Sequence, residues 1–520
     1  MSTEANRWGR GELIVAALLL VAAAIMRFAW LGEIPNGLFR DEWEKGYTAY
    51  ELWHTGRHAV PGAQGLAISR FLPVFIEVYE GHDRTSAIYQ YATAPVVGLF
   101  GLSAFTTRFA AALSGWLTCV FVWLLARRAM SWQAGLAALA SASFHITGVL
   151  LSRWAQQGSM AILFATLGVW LLFEAIREQC ANRRAVAMLA ALALGTAAYS
   201  YDPARLVVPL IAVAFAVVFA REIKPHRGAF IPAALLFVVI ASALIVYTAT
   251  TGSARLSRVS VGFQPLQIAK NYFAHFSPDF FAHSGDRNLR HGGLGRFGFA
   301  GWGTSLMVLA SVIVLLRRLM AGQPGGRRVG LFLLAWLAAA PAAAALTNEG
   351  VPHALRACLM IPATALLVGY AADAIGALRG MRFSAAVVIV ITAIDATTCG
   401  VALIQRKEQC SAEWSTGLIE EIREDLRQGK KVFLSAQIPY ANYAALFAEQ
   451  TDPRKYHEEN SGALKTKLVL EVPSLAEEGV QIVPAPPFDG LSSHMAVERN
   501  GKQVVLRRPG RPDESLPSPR

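Results

Sequence analysis

At 520 residues, 54% hydrophobic and 16% charged, with a mean hydropathy of +0.39, the chain is too apolar for an ordinary soluble domain, where about 25% of residues are charged. Its net charge of +12 sits largely in short loops between apolar runs, which excludes a basic nucleic-acid-binding face and marks membrane topology. The five cysteines, Cys119, Cys180, Cys358, Cys399 and Cys410, lie mostly in or beside apolar runs and read as small buried residues; a Cys399–Cys410 link is the alternative.

A helix needs about 20 apolar residues to cross a bilayer. About eleven such runs follow one another, near 11–31, 106–126, 131–149, 158–176, 184–201, 205–220, 228–250, 299–316, 329–347, 353–376 and 384–404. The first resembles a signal-peptide core but leads straight into a segment rich in candidate chemistry, so it reads as a retained helix. Alternate loops carry the cations: Arg7 and Arg10; Arg127 and Arg128; Arg177, Arg183 and Arg184; Arg221, Lys224 and Arg227; Arg317, Arg318, Arg327 and Arg328; Arg379 and Arg382. The positive-inside rule places these in the cytoplasm, with the N-terminus inside and the C-terminus outside. The outer side then holds two long loops, about 32–105 and 251–298, and a C-terminal segment.

That segment shows Leu418, Ile419, Ile422 and Leu426 at helical spacing, and strand-like runs at Val432-Phe-Leu-Ser, Lys467-Leu-Val-Leu and Val504-Val-Leu. The predicted organisation is a helical transmembrane domain over 1–404, a small extracytoplasmic α/β domain over 405–508, and a Pro-rich disordered tail over 509–520.

Ionisable residues that are not topology signals gather on the outer side. In Arg40-Asp-Glu-Trp-Glu-Lys-Gly-Tyr, continuing to Gly56, a stripe of Trp43, Tyr47, Tyr50 and His54 predicts an amphipathic helix lying at the outer interface and ending at Gly56. Asp41 reads either as an N-cap with Glu44 closing a capping box or as a functional carboxylate, and the two are compatible. Gly285-Asp-Arg-Asn-Leu-Arg-His-Gly292 is a solvated loop or a phosphate site using Arg290 and His291. His353 and Arg356 stand one turn apart at the start of a helix, where an anion or a snorkelling arginine fits. Asp202 and Arg205 flank Pro203 at a helix start, and Arg153 is an interface anchor or an anion ligand.

Ile34-Pro-Asn-Gly-Leu-Phe-Arg-Asp-Glu-Trp after the first helix resembles the GT-C glycosyltransferases, and more closely the bacterial relatives of protein mannosyltransferases and the lipid A aminoarabinose transferase. Ile88-Tyr-Gln-Tyr, Leu99-Phe-Gly, Thr107-Arg-Phe-Ala-Ala-Ala-Leu-Ser-Gly, Phe276-Ser-Pro-Asp-Phe-Phe, Ser284-Gly-Asp-Arg-Asn-Leu-Arg-His, His353-Ala-Leu-Arg and Pro362 follow in the family's order. The resemblance covers most of residues 10–404.

It implies an inner-membrane, cell-envelope hexosyl- or pentosyltransferase that moves a sugar from a polyprenyl-phosphate donor, with inversion, to a glycan, lipid or protein acceptor outside. Asp41 would be the general base, with Glu42 orienting the acceptor or sharing the proton. Arg290, His291, His353, Arg356, Arg153 and Arg205 would hold the donor phosphate, and His82, Asp83, Asp202 and Asp286 would contact acceptor or sugar. Several relatives carry a second acid before the fourth helix, where this chain reads Arg153-Trp-Ala-Gln-Gln157; no metal cofactor is expected, since a divalent ion wants several carboxylate oxygens. The Trp-Trp-Asp signature of oligosaccharyltransferases is absent. The rival readings are a transporter or flippase of lipid-linked substrates, against which the long outer loops and scarce mid-helix charges argue, and a non-catalytic family member.

Overall fold

The computed structural model describes residues 8–62, 65–78, 83–251, 260–288, 290–291, 296–323, 326–408, 414–435, 437–459, 464–469, 479–484, 494–500, 503–507 and 514–517. The chain divides into two compact units. The first takes Met1–Ala29 and Ala111–Ala402, the second Trp30–Ala110 and Leu403–Arg520. The second unit thus joins the 30–110 segment to the C-terminal segment, where sequence reading divides the chain near 404.

In the first unit the apolar runs become helices α1 (Arg10–Phe28), with the main part of a long helix Ala104–Ala129, then Trp132–Phe144, Ile146–Leu151, Gly158–Ala175, Arg183–Ser200, Ala204–Val218, Arg227–Thr251, Trp302–Met320, Arg327–Ala339, Met360–Arg379 and most of Met381–Glu408. Eight helices among the described residues are long and apolar enough to cross a membrane. The eleven expected runs are all helical at least in part, but three do not make such a span. The run 131–149 breaks at His145, whose Nδ1 accepts the Gly148 N–H (3.2 Å) and starts a second short helix. The run 205–220 yields Ala204–Val218, 15 residues long. The run 184–201 spends its first turn on Arg183 and Arg184.

Small residues set the packing. Gly369 lies against the helix Trp132–Phe144 so closely that a Cβ there would stand 2.6 Å from the Ala134 carbonyl oxygen, which is how helices gain van der Waals contact where lipid supplies no hydrophobic drive. Phe173, Phe215, Phe219 and Phe332, from three helices, pack mostly edge to face.

The second unit is built around α2 (Arg40–Thr55). Two β-hairpins follow, β1 (Ala59–Gly62) with β2 (Gly65–Ile68) and β3 (Phe75–Val78) with β4 (Asp83–Ser86), then α3 (Ile88–Phe100). From the C-terminal segment come α4 (Leu418–Arg427), β5 (Val432–Ser435), α5 (Ala441–Glu449), α6 (Pro453–Glu459), β6 (Lys467–Val469), β7 (Gly479–Pro484), β8 (His494–Asn500), β9 (Gln503–Arg507) and β10 (Glu514–Pro517). Their sheet runs β10-β9-β8-β7-β5-β6, with β5 parallel to β6 and β7 and the remaining pairs antiparallel. The three predicted strands and the helix over 418–426 are present. The tail departs from expectation, because Glu514–Pro517 pair with β9 as a strand.

Helix α2 is the centre of this unit. Trp43, Tyr47 and Ala49 share one core with Leu418, Ile422, Leu434, Leu446 and Ile482. The Tyr47 hydroxyl donates to the Thr451 carbonyl (3.1 Å). The aromatic stripe is therefore a core-facing stripe, the commoner use of that spacing. Gly37, with φ of +95°, passes so near the backbone of Trp414 and Thr416 that no side chain fits there.

Candidate active site and the Asp286 cluster

The first two turns of α2 set three carboxylates in three different situations. Phe39, not Asp41, is the N-cap, and its backbone N–H donates to Glu42 Oε2 (3.0 Å), forming half of the cap that sequence reading assigned to Asp41 and Glu44. Glu42 also receives Arg108 Nε at 2.9 Å and Arg108 Nη2 at 2.9 Å, with both side chains fully buried. Arg108 spends its remaining donors on the carbonyls of Leu31 (3.1 Å), Pro35 (3.0 Å) and Gly37. This corrects the catalytic role expected of Glu42: a bidentate buried pair to a guanidinium holds the chain entering α2, and the acid's oxygens are committed to it.

Glu44 is buried as well, against Thr48 Oγ1 and Gln90 Nε2 (both 3.4 Å), and burial raises its pKa against the pull of Lys45. Asp41 differs from both. Its side chain is 27% exposed, against 0% for Glu42 and 2% for Glu44. Lys45 Nζ lies 3.9 Å from Asp41 Oδ2 and 3.8 Å from Glu44 Oε2, and Arg40 Nε stands 3.9 Å from Asp41 Oδ1. Lys45 is a site residue without a sequence-based expectation, although its i+4 spacing from Asp41 is legible in the chain. The same holds for a second buried network on the same helix, Glu51 with His58 (2.8 Å) and His457 (3.1 Å). His82 lies outside the described residues. Asp83 opens β4.

The remaining candidates belong to the first unit. Within the described residues of the 285–291 segment the two ends are buried. Asp286 and His291 are 3% and 1% exposed, with Asp286 Oδ2 2.6 Å from His291 Nδ1. The same carboxylate accepts N–H groups from Asn288 (2.8 Å) and Ala354 (2.7 Å), tying the segment to the 353–356 turn. His353 stacks on His291 with ring centroids 4.4 Å apart and an interplanar angle of 23°. Burial, followed by the Coulombic influence of His291, Arg356, Arg290 and His275, lowers the His353 pKa well below its usual range. His275, which sequence reading missed, accepts the His353 N–H at Nε2 (3.0 Å) and directs Nδ1 to the Asn271 carbonyl (2.9 Å), which fixes its tautomer.

His353 and Arg356 do not start a helix. They lie in turns before the helix that begins at Met360. Arg356 Nη1 donates to Thr347 Oγ1 (2.7 Å), and Nη2 pairs with Glu349 Oε2 (2.5 Å). Arg290 is half-buried, its Nε on Asn288 Oδ1 (3.1 Å). Asp202 and Arg205 pair with each other at 2.7 Å.

The phosphate role expected of Arg153 is corrected. The residue is 1% exposed, and its Nη1 and Nη2 donate to the carbonyls of Met26 (2.8 Å) and Ala29 (2.7 Å), the open C-terminal end of α1. Cys119, Cys180, Cys358 and Cys399 are free thiols, and Cys410 lies outside the described residues.

A family model described as dolichyl-phosphate-mannose-protein mannosyltransferase matches residues 86–247. No curated protein matches the chain. Among solved structures, ArnT from Cupriavidus metallidurans in the apo state is similar at 13% identity and a TM-score of 0.58, over 91% of this chain and 92% of that one. The same protein bound to undecaprenyl phosphate gives 13% and 0.55, over 95% and 97%. The Archaeoglobus fulgidus oligosaccharyltransferase tethered to an acceptor peptide gives 14% and 0.52, over 84% of this chain and 63% of that one. The chain is a polytopic membrane protein with the GT-C glycosyltransferase fold, similar to ArnT and, over 86–247, to the protein mannosyltransferases.

Proposed function

We propose that the chain is a glycosyltransferase that moves a sugar from a polyprenyl-phosphate donor to an acceptor hydroxyl on the extracytoplasmic face, with inversion at the anomeric carbon. Asp41 is the general base. It takes the acceptor proton as the oxygen attacks the anomeric carbon, while the bond from that carbon to the phosphate oxygen breaks and the lipid phosphate leaves with the electron pair. The observation that carries this reading is the selective exposure of Asp41: of the three acids in the first turns of α2, it is the one solvent reaches, and Lys45 and Arg40 flank it within 4 Å. The similarity to an ArnT structure bound to undecaprenyl phosphate supports the donor class.

The test is transfer from a panel of radiolabelled polyprenyl-phosphate sugars by the purified protein in detergent, wild type against Asp41→Asn. Transfer or donor hydrolysis lost in a variant that melts like wild type supports the assignment. Equal turnover in both removes Asp41 as the base. Donor movement across vesicle membranes without turnover favours a flippase.

A further inference from the structure

Arg27 lies in the last turn of α1, inside a helix long and apolar enough to cross a membrane, and it is buried. A guanidinium at that depth is costly unless its donors find partners. Nη1 donates to the carbonyls of Ala23 (3.2 Å) and Ser143 (3.1 Å), and Nη2 to that of Ala142 (2.9 Å). Ala142 and Ser143 belong to the last turn of the helix Trp132–Phe144, whose open carbonyls form the negative end of its dipole. Arg153 does the same for Met26 and Ala29 at the end of α1, so two buried arginines close the ends of two neighbouring helices. One donor is left over: among the described residues nothing accepts from Arg27 Nε.

Arg27 also lines a cavity of about 20 Å³, together with Gly115, Thr118, Ser152 and Ser159 among others. Gly115 makes the room. A Cβ there would stand 3.0 Å from Arg27 Nε and 3.2 Å from Ser152 Oγ, but only 2.5 Å from Ser152 Cβ. The space beside this glycine is thus within hydrogen-bond reach of both polar atoms and closed to a side chain of its own. Gly115 ends the Thr107-Arg-Phe-Ala-Ala-Ala-Leu-Ser-Gly motif, and the transfer reaction has no use for it. We infer that this cavity binds one ordered water molecule, which accepts from Arg27 Nε and donates to the hydroxyl oxygens around it.

Size and hydrogen-bond direction select the ligand. A buried water wants a cavity of at least about 10–15 Å³ and two to four polar partners, and both conditions are met. The rival occupant of a site beside a guanidinium is a small anion such as a halide. The hydroxyls decide between them. Thr118 Oγ1 donates to the Ser114 carbonyl (2.8 Å), Ser152 Oγ to Val149 (2.7 Å) and Ser159 Oγ to Gln156 (2.7 Å). Each hydroxyl has a single hydrogen, already committed, and offers the cavity lone pairs alone. An anion would meet one N–H and three sets of lone pairs. Water has one lone pair for Arg27 Nε and two hydrogens for the oxygens. The arginine's charge is met by the carbonyl end of a helix and calls for no counter-ion. Arg27, Thr118 and Ser159 stand on three different membrane-length helices, so the water ties together helices between which lipid supplies no hydrophobic drive.

The inference does not depend on the transferase reading, and its test reads density and not turnover. The full-length wild type is solved in lipid nanodiscs by electron cryomicroscopy, at a resolution where ordered waters are visible. We expect one isolated peak about 2.7–3.2 Å from Arg27 Nε. Crystals of the same protein grown with bromide in place of chloride, measured at the bromine edge, should show no anomalous signal there. Gly115→Ala combined with Ser152→Gly puts a methyl group in the site without meeting the Ser152 Cβ, and the peak should be lost. Gly400→Ala, whose Cβ would meet nothing within 4 Å, should keep it. The two wild-type measurements need no variant to fold. A wild-type map without the peak, an anomalous bromide peak beside Arg27, or a peak that survives the double substitution overturns the proposal.

Discussion

Helix α2 and the turns around Asp286 both bury charged side chains, and they neutralise them by different means. In α2 the charges lie along one regular element. Glu42 meets the guanidinium of Arg108, Glu51 meets two imidazoles, and the helix backbone fixes where each acid points. Around Asp286 there is little regular backbone: a carboxylate gathers two N–H groups and two imidazoles from segments 68 residues apart, and this convergence is what gives the turns their shape. The first arrangement leaves one acid, Asp41, at the end of the row and in contact with solvent. The second leaves none of its three members exposed. An exposed carboxylate on a rigid frame suits proton transfer to a bound substrate, and a sealed carboxylate–imidazole cluster suits locking two loops together.

The largest effect expected from breaking this contrast is at Asp41. Asp41→Asn should lower transfer by about 10²–10⁴-fold, the usual weight of a general base, with the melting temperature unchanged. A loss of stability in place of activity would make Asp41 a structural residue like its neighbour. Glu42 should behave oppositely. Arg108→Met or Glu42→Ala leaves a buried charge without its partner and should cost about 3–5 kcal/mol, read by denaturant or thermal unfolding. If Glu42→Ala keeps stability and loses only turnover, the acid belongs to the reaction after all. A smaller effect is expected where α2 packs most tightly. A Cβ on Gly46 would sit 2.6 Å from Thr107 Oγ1 and 2.8 Å from the Phe447 ring, so Gly46→Ala should cost about 1–3 kcal/mol in the same assay.

The same contrast explains what the sequence discloses. The apolar runs and their helices are legible because a bilayer demands length and composition, both local properties. Helix α2 is legible from its stripe and from Gly56, but the stripe's destination is not. The residues that cover Tyr47 and Trp43 come from 418–482, and a helix facing lipid headgroups shows the same spacing as one facing a distant segment of its own chain. The partner of Glu42 lies 66 residues on, and nothing near Glu42 announces it. Arg153 reads as an anion ligand until its hydrogen bonds are seen to end on the carbonyls of Met26 and Ala29, since a helix C-terminus and a phosphate ask the same thing of a guanidinium. His275 is hidden for the same reason, because its function is a bond to another residue's backbone.

The smallest expected effect lies beside α2 and concerns pH. His58 Nδ1 is 2.8 Å from Glu51 Oε2, and Nε2 is 3.0 Å from the Glu77 carbonyl oxygen. Both ring nitrogens face acceptors, and only the imidazolium donates from both. Burial pushes the His58 pKa down, but the charge and hydrogen bond of Glu51, helped by Glu44 and the Glu77 carbonyl, outweigh it and leave the pKa raised above 6.5. A histidine with a raised folded-state pKa contributes stability that is fully present below its unfolded value and is lost as pH climbs through the folded one. The melting temperature of the wild type should therefore fall as pH rises above about 6.5. His58→Gln keeps a polar side chain but cannot titrate, so its melting temperature should be lower at pH 6 and should decline less from pH 6 to 9. Parallel curves for the two proteins would mean that His58 is neutral in the fold and that Glu51 is neutralised by His457 alone.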